Sequence, residues 1–97
     1  MNDTELSQVF KALSNPNRLR LYHEIMQRQE QGLAAEQGCA LAELLPLLKI
    51  GAPTLSHHMK ELVNANLVQV VQKGRYKTCY LNEFTRKAVA AFFAGLQ

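Results

Sequence analysis

The sequence contains no tryptophan, only two cysteines and no long hydrophobic run. The two cysteines, Cys39 and Cys79, lie far apart in sequence and form neither a disulfide framework nor a CxxC motif. No apolar segment approaches the roughly 20 residues that a membrane-spanning helix needs. The N-terminus also lacks the apolar core of a secretory signal peptide. We therefore expect a cytoplasmic protein.

Catalytic patterns are lacking as well. No Ser/His/Asp or Cys/His arrangement, glycine-rich phosphate loop or pair of carboxylates occurs at a useful spacing. His57 and His58 are the one conspicuous reactive cluster, and their place in a predicted helix with other polar donors explains them better than catalysis does. We expect a protein that is not an enzyme and holds no cofactor.

The charge of the chain is unevenly distributed. The 97 residues are 47% apolar and 20% charged, which predicts one compact domain over residues 1–97. Residues 1–48 carry a net charge of −2, whereas residues 49–97 carry seven Lys or Arg against two Glu, a net charge of +5. A basic half of this kind is typical of a protein that binds a polyanion.

The most informative stretch is residues 52–66, which predicts a helix with two faces. Pro53 suits a first helical turn, and the closing N-A-N favours termination because Asn tolerates a left-handed conformation. The apolar stripe, at helical spacing, consists of Leu55, Met59, Leu62 and Val63. The polar face consists of Thr54, Ser56, His57, His58 and Lys60. These donors suit base-edge and phosphate contacts, although an ordinary amphipathic helix with a solvated face remains an alternative.

After Asn66 the spacing of the apolar residues changes from that of a helix to the alternation of a strand. Residues 68–81 predict a β-hairpin whose turn is Lys73-Gly74-Arg75. Its tip carries Lys73, Arg75 and Lys77. A basic turn is commonly just solvated, but a hairpin directly after a recognition helix is the order of a winged helix. We interpret residues 68–81 as the wing.

The other segments predict helices. Residues 3–13 form one, with Asp3 or Thr4 as its cap, and Asn15-Pro16 opens a second that ends near residue 31. Arg18 and Arg20 at its start oppose the helix dipole, so either a negative group lies nearby or both are solvated. Its predicted inward residues are Leu19, Tyr22, His23, Ile25 and Met26. Residues 32–38 form a polar connector.

A leucine-rich helix follows, with Leu41, Leu44, Leu45 and Leu48 at core spacing, and Pro46 is expected to shorten it. Asn82 caps a last helix of about residues 83–96. The fold class is therefore mainly α with a small β-hairpin, a winged helix-turn-helix in the order α-α-α-α-β-β-α. The last helix is more apolar than a monomer of this size requires, so we favour a homodimer over purely internal packing.

The segments F-K-A-L-S-N-P-N-R-L-R-L, L-A-E-L-L, T-L-S-H-H-M-K-E-L and K-G-R-Y-K-T-C-Y-L together resemble the ArsR family of bacterial repressors. The resemblance covers roughly residues 5–95 and implies a homodimer built through the first and last helices. It further implies binding to double-stranded DNA at a palindromic operator, with release by an inducer. The DNA-binding residues that it implies are Ala52, Thr54, Ser56, His57 and Lys60 in the helix, and Lys73, Gly74, Arg75 and Lys77 in the wing.

The sequence departs from the family's metal-sensing pattern. Gln37-Gly38-Cys39 stands where many relatives carry two cysteines, and residues 83–97 contain neither Asp nor His. A thiolate metal site needs two or three sulfurs, or sulfur with imidazole. We predict no metal site, although Cys39 with the two adjacent histidines is conceivable. A thiol switch at Cys39, Cys79 or both, and two unrelated structural cysteines, also remain open.

Two functions follow from these patterns. The leading hypothesis is a sequence-specific transcriptional repressor, based on the helix, the wing and the charge asymmetry together. The alternative is a winged-helix protein-interaction module that does not bind DNA, based on the apolar last helix. A specific operator would exclude the alternative.

Overall fold

The computed structural model describes residues 1–30 and 39–95 of the chain. Within these residues, five α-helices and three short strands follow one another, with a 3₁₀ turn at Leu41–Glu43. The strands form an antiparallel sheet in which the last strand in sequence, Tyr76–Leu81, lies between the other two. The elements are α1 (Asp3–Leu13), α2 (Pro16–Glu30), β1 (Cys39–Ala40), α3 (Leu45–Leu48), α4 (Ala52–Asn64), β2 (Val68–Lys73), β3 (Tyr76–Leu81) and α5 (Glu83–Phe93). The predicted fold class is confirmed, with β1 as an added edge strand.

The first two helices begin at side-chain caps. Asn2, rather than the predicted Asp3 or Thr4, caps α1: its Oδ1 accepts from the Glu5 backbone N–H at 2.8 Å, and the Glu5 carboxylate accepts from the Asn2 N–H at 3.0 Å. The predicted cap of α2 is confirmed, since Asn15 Oδ1 accepts from the backbone N–H of Asn17 at 2.9 Å. These reciprocal bonds satisfy N–H groups that have no partner inside the helix.

The inward face of α2 differs in part from its prediction. Tyr22 and Ile25 are buried as predicted, but the fully buried Leu21 was not foreseen. Leu19, predicted to face inward, is 51% exposed, and His23 is exposed rather than packed. Two apolar stripes overlap on this helix: Leu21 lies four residues before Ile25, whereas Leu19 lies three before Tyr22 and seven before Met26. The packing of α2 against its neighbours buries the stripe that contains Leu21.

The two arginines at the start of α2 bond to helix C-termini. Arg18 donates from Nε to the carbonyl oxygen of Ala12 in α1 at 2.8 Å. Arg20 donates from Nη2 to the carbonyl oxygen of Leu47 in α3, also at 2.8 Å. The last carbonyls of a helix carry the negative end of its dipole and lack partners within the helix. Of the two alternatives that the sequence left open, the structure therefore shows nearby negative groups, which are the carbonyl ends of α1 and α3.

The leucine-rich segment forms less helix than its spacing predicts. Pro46 sits in the first turn of α3, which has only four residues and follows the 3₁₀ turn. Leu44 and Leu48 are buried, whereas Leu41 and Leu45 are half-buried against the core. The predicted connector at residues 32–38 lies outside the described residues, as does Leu96 of the predicted last helix. Within the described part of the chain, no helix is long and apolar enough to cross a membrane.

Candidate DNA-binding surface

The helix α4 is held by its apolar side and by a complete C-terminal cap. Leu55, Met59 and Leu62 are buried in the core, while Val63 is 37% exposed at the edge of the stripe. Asn66 has a φ of 62°, which confirms that Asn ends the helix in the left-handed conformation. Its N–H donates to the Val63 carbonyl at 3.0 Å, and the Leu67 N–H donates to the Leu62 carbonyl at 3.0 Å. These two bonds make a Schellman motif, which fixes where the wing begins.

A buried hydrogen bond joins the end of α4 to α5. Thr85 is 1% exposed, and its Oγ1 donates to the carbonyl oxygen of Asn66 at 2.6 Å. Its own backbone N–H donates to Asn82 Oδ1 at 3.3 Å, so the predicted Asn82 cap is confirmed. The start of α5 is therefore tied both to its own cap and to the turn that follows α4.

The polar face of α4 is open to solvent at its N-terminal half. The first turn contains no acidic residue, so no carboxylate of α4 repels a phosphate there. Leu55 donates its N–H to the Gly51 carbonyl at 3.0 Å, which starts the helix at the expected position. All five helix residues named from the resemblance are exposed: Ala52, Thr54, Ser56, His57 and Lys60.

His58 was predicted on the polar face and is instead buried, with 6% of its surface exposed. It lies three residues after Leu55 and four before Leu62, so helical spacing places it on the inward side. Among the described residues its Nδ1 has no hydrogen-bond partner. Burial lowers the pKa of His58 below its ordinary value, and the positive charges of Arg18 and His57 lower it further. His58 is therefore a neutral packing residue rather than a surface donor.

The wing is a regular hairpin with a two-residue loop. Lys73 pairs with Tyr76 across the end of β2 and β3, which leaves Gly74 and Arg75 as the loop. Gly74 has a φ of 60°, a conformation that glycine adopts without steric cost, and its carbonyl accepts from Gln72 Nε2 at 2.9 Å. The cations of this hairpin, Lys73, Arg75 and Lys77, are all exposed.

One of these cations already has a partner in the protein. The Lys73 ammonium donates a hydrogen bond to the Tyr80 hydroxyl and lies 5.1 Å from the centre of the Tyr80 ring. The same hydrogen bond lowers the pKa of Tyr80. This contact was not predictable from the sequence, and it directs Lys73 along the sheet. Arg75 and Lys77 are consequently the better placed wing cations for an external anion.

The helix and the wing meet at a cleft of about 230 Å³. Ser56 and Lys60 of α4 lie on one side, and Lys77 of β3 lies on the other. The structure thus brings two of the predicted helix residues together with a predicted wing residue. The other six predicted residues lie outside the lining of this cleft: Ala52, Thr54, His57, Lys73, Gly74 and Arg75. The rest of the lining is apolar: Leu41, Leu55, Met59, Val63 and Val70. The charged residues of the lining are Lys60 and Lys77, and no carboxylate accompanies them, so the charge beside this cleft favours a phosphate.

The two cysteines, although far apart in sequence, lie opposite each other in the sheet. Cys39 of β1 and Cys79 of β3 are paired residues of the antiparallel ladder, and both are buried free thiols. Cys39 packs in the core beside Cys79, whereas His57 is exposed on α4, so the described residues give no support to the conceivable pairing of Cys39 with His57 and His58. In residues 1–30 and 39–95, no three His, Cys, Asp or Glu side chains form a group that could hold a metal.

Comparisons with known proteins decide the family. A model of a helix-turn-helix domain matches residues 13–71. The arsenical resistance operon repressor of Staphylococcus xylosus is 39% identical over 82 residues, which cover 84% of this chain and 70% of that protein. The chain belongs to the ArsR family. Membership in a family of transcriptional regulators agrees with the prediction that this chain is not an enzyme.

Solved ArsR-family structures share the fold along nearly the whole chain. One ArsR family transcriptional regulator has a TM-score of 0.76 at 20% identity, covering 98% of this chain and 89% of the other. A homodimeric winged helix-turn-helix DNA-binding domain from Mycobacterium bovis has a TM-score of 0.66 at 15% identity, covering 96% and 91%. The comparisons support the predicted DNA-binding repressor and give no support to the interaction module.

Proposed function

We propose that this ArsR-family protein is a single-domain homodimer that binds a palindromic operator in the cytoplasm and is released by an inducer signal. In this proposal α4 enters the major groove and the wing contacts the backbone and minor groove. The observation that carries it is the cleft at which Ser56 and Lys60 of α4 meet Lys77 of the wing. Because α4 and the wing each place a lysine at this cleft, they can contact adjacent parts of a duplex at the same time.

The proposed contacts divide by chemistry. Thr54, Ser56 and His57 are short donors near the start of α4, where recognition helices contact base edges, and Ala52 can pack against a thymine methyl group. Lys60, Arg75 and Lys77 neutralise phosphates, Lys73 adds positive charge to the wing while bonded to Tyr80, and Gly74 lets the tip of the wing approach closely. The exposure of all nine residues supports this division.

A paired substitution on α4 tests the base contacts. Thr54→Ala with Ser56→Ala should cost about 1–3 kcal/mol for each lost base contact, because side-chain donors to base edges carry discrimination of that size. Affinity for unrelated DNA should change little, since no charge is removed. The assay is fluorescence anisotropy on a duplex from upstream of the protein's own gene, with and without unlabelled competitor DNA.

The chain offers a matched control for this experiment. Thr4 and Ser7 are an exposed Thr and Ser on α1, and the Ser7 hydroxyl donates to the Thr4 carbonyl within that helix. Thr4→Ala with Ser7→Ala removes the same two hydroxyls away from α4 and the wing, and light scattering checks that this variant keeps the dimer to which α1 contributes. Equal loss of specific affinity in both pairs would remove α4 from the proposal.

The proposed dimer is supported by an exposed aromatic cluster on α1 and α5. The ring centres of Phe10 and Phe93 are 5.7 Å apart, and those of Phe92 and Phe93 are 5.4 Å apart. Phe93 is 73% exposed and Phe92 is 40% exposed, although aromatic clusters of this kind are normally covered. A second copy of the chain would bury them, since a two-fold dimer places the same patch on both subunits.

Phe93→Glu tests the dimer. A buried carboxylate without a partner is strongly unfavourable, so this variant should elute as a monomer in size-exclusion chromatography with light scattering. Operator affinity should fall with it, because one half-site per protein remains. Gln69→Glu adds the same charge at an exposed position of β2 and should leave the mass unchanged. A Phe93→Glu protein that keeps the mass of a dimer would contradict an interface at this cluster.

A further inference from the structure

The structure places the two thiols of the chain in contact across two strands. Cys39 and Cys79 are directly opposite in the antiparallel pair of β1 and β3. They are 2% and 1% exposed, and the Cys79 thiol donates to the Cys39 carbonyl with Sγ and O 3.3 Å apart. Opposite residues of an antiparallel pair have Cα atoms about 4.5–5.5 Å apart. A disulfide requires about 4.4–6.8 Å, so the strands need not move to form one.

We propose that Cys39 and Cys79 are a reversible dithiol–disulfide pair whose oxidant is a small hydroperoxide. The Cys39 thiolate attacks a peroxide oxygen, the O–O bond breaks, and the leaving oxygen takes a proton to become water or an alcohol. Cys39 is then a sulfenic acid. The Cys79 sulfur attacks the Cys39 sulfur, the S–O bond breaks, and the hydroxide leaves as water with the Cys79 proton. The two thiols lose two electrons in total, and the peroxide gains them.

The surroundings of the pair assign the two roles. A hydrogen bond between the two side chains, from the Cys79 thiol to the Cys39 sulfur, lowers the pKa of Cys39, and the Arg28 guanidinium lowers it further against the opposing effects of burial and Glu43. The bond between the side chains and burial raise the pKa of Cys79, and they outweigh the bond to the Cys39 carbonyl, which lowers it. Cys39 is therefore the thiolate that attacks the oxidant, because the thiolate is the nucleophilic form. Cys79 keeps its proton and resolves the sulfenic acid.

Arg28, whose positive charge favours the Cys39 thiolate, is held in place by an ion pair. Its Nη1 lies 3.0 Å from Glu43 Oε2, and its side chain is 26% exposed. Its Nε is buried and, among the described residues, has no hydrogen-bond partner. A partly buried guanidinium favours a nearby thiolate, since screening by solvent is weaker there.

The disulfide would enclose the DNA-binding part of the chain. The ring closed between Cys39 and Cys79 contains α3, α4 and β2 together with the tip of the wing. Closing a loop of this length restricts the unfolded chain, and the melting temperature of the oxidised protein should rise by roughly 10–20 °C. Peroxide would thus raise the stability of the helix-turn-helix and wing, even in protein that is not bound to DNA.

The wild-type protein tests the proposal without substitutions. Reduced protein is treated with hydrogen peroxide, unfolded in N-ethylmaleimide and measured by intact mass. We expect a monomer that has lost two hydrogens and binds no maleimide, with full reversal by dithiothreitol. Trypsin should release residues 29–49 linked to residues 78–86, because no Lys or Arg lies within either segment before its last residue. Two maleimide adducts after oxidation, or a cross-link between chains, would overturn the proposal.

Two variants test the order of attack. Cys79→Ala should stop at a sulfenic acid on Cys39 that dimedone captures, whereas Cys39→Ala should react many times more slowly. Circular dichroism establishes that both fold, and alanine is close to cysteine in size and apolar character. Dimedone capture on Cys79 in the Cys39→Ala protein at the rate of the other variant would reverse the assignment.

Discussion

Removing two wing cations should flatten the salt dependence of DNA binding. The perturbation is Arg75→Ala with Lys77→Ala, which spares Lys73 because that ammonium is bonded to Tyr80. Arg75 and Lys77 are exposed in the hairpin, and a homodimer presents each of them twice. If each of the four cations neutralises one phosphate, the slope of log affinity against log salt should become less steep by about 3.6 units.

This slope has a consequence that can be measured directly. Between 50 and 200 mM salt, wild-type protein should lose roughly 100-fold more affinity than the variant, which follows from the difference of four counterions released per dimer. The assay is anisotropy on one duplex at four or more salt concentrations. Core packing is untouched, since both side chains are exposed, and an unchanged melting temperature verifies it.

A charge-matched control separates contact from net charge. Lys11→Ala with Lys87→Ala removes the same two charges per chain from exposed positions of α1 and α5. Because these are the helices of the proposed dimer, light scattering must first show that this variant keeps the mass of the wild type. This protein should keep a slope close to that of wild type, because only cations at a phosphate release counterions on binding. Equal slopes of log affinity against log salt for wild type and the wing variant would refute the reasoning. A slope that changes by the same amount in the wing variant and in this control would refute it as well.

Two predictions concern stability. Thr85→Val keeps the shape of the side chain but removes the hydroxyl bonded to the Asn66 carbonyl. The free energy of unfolding, measured by urea denaturation, should therefore fall by about 1–3 kcal/mol. Thr85→Ser keeps the hydroxyl and should retain the contribution of that bond. His58 has a lowered pKa when folded, so the unfolded chain binds the proton more readily and stability should fall as pH drops below the ordinary value of about 6.5. His58→Leu should lose that dependence, and a wild-type stability that is flat from pH 7.5 to 5.5 would contradict the burial of a neutral imidazole.

The fold was predictable because its main signals are local. The stripe of Leu55, Met59 and Leu62, the Asn66 cap and the Gly74 turn each depend on a few neighbouring residues. Those signals place α4 and the wing in order, and the order specifies a winged helix. The same spacing places His58 on the inward side of α4, where it is buried. The prediction put it on the polar face because its side chain is polar, and that was wrong.

The remaining features depend on contacts between distant segments. β1 has two residues and no local strand signal, so its register, and with it the Cys39–Cys79 pair, follows only from pairing with β3. The choice of Leu21 over Leu19 requires the neighbours of α2. The contact of Lys73 with Tyr80 arises from side-chain geometry on one face of the sheet, which alternation predicts only as a shared face.

The central claim is that this protein reads DNA sequence as a dimer, and selection from a random duplex library tests it most directly. Wild-type protein is mixed with the library at about physiological salt, and the retained duplexes are sequenced. We expect one enriched inverted repeat whose half-sites are centred about one helical turn, or a multiple of it, apart. Retention of duplexes without any enriched sequence would contradict the account, because phosphate contacts alone carry no sequence information.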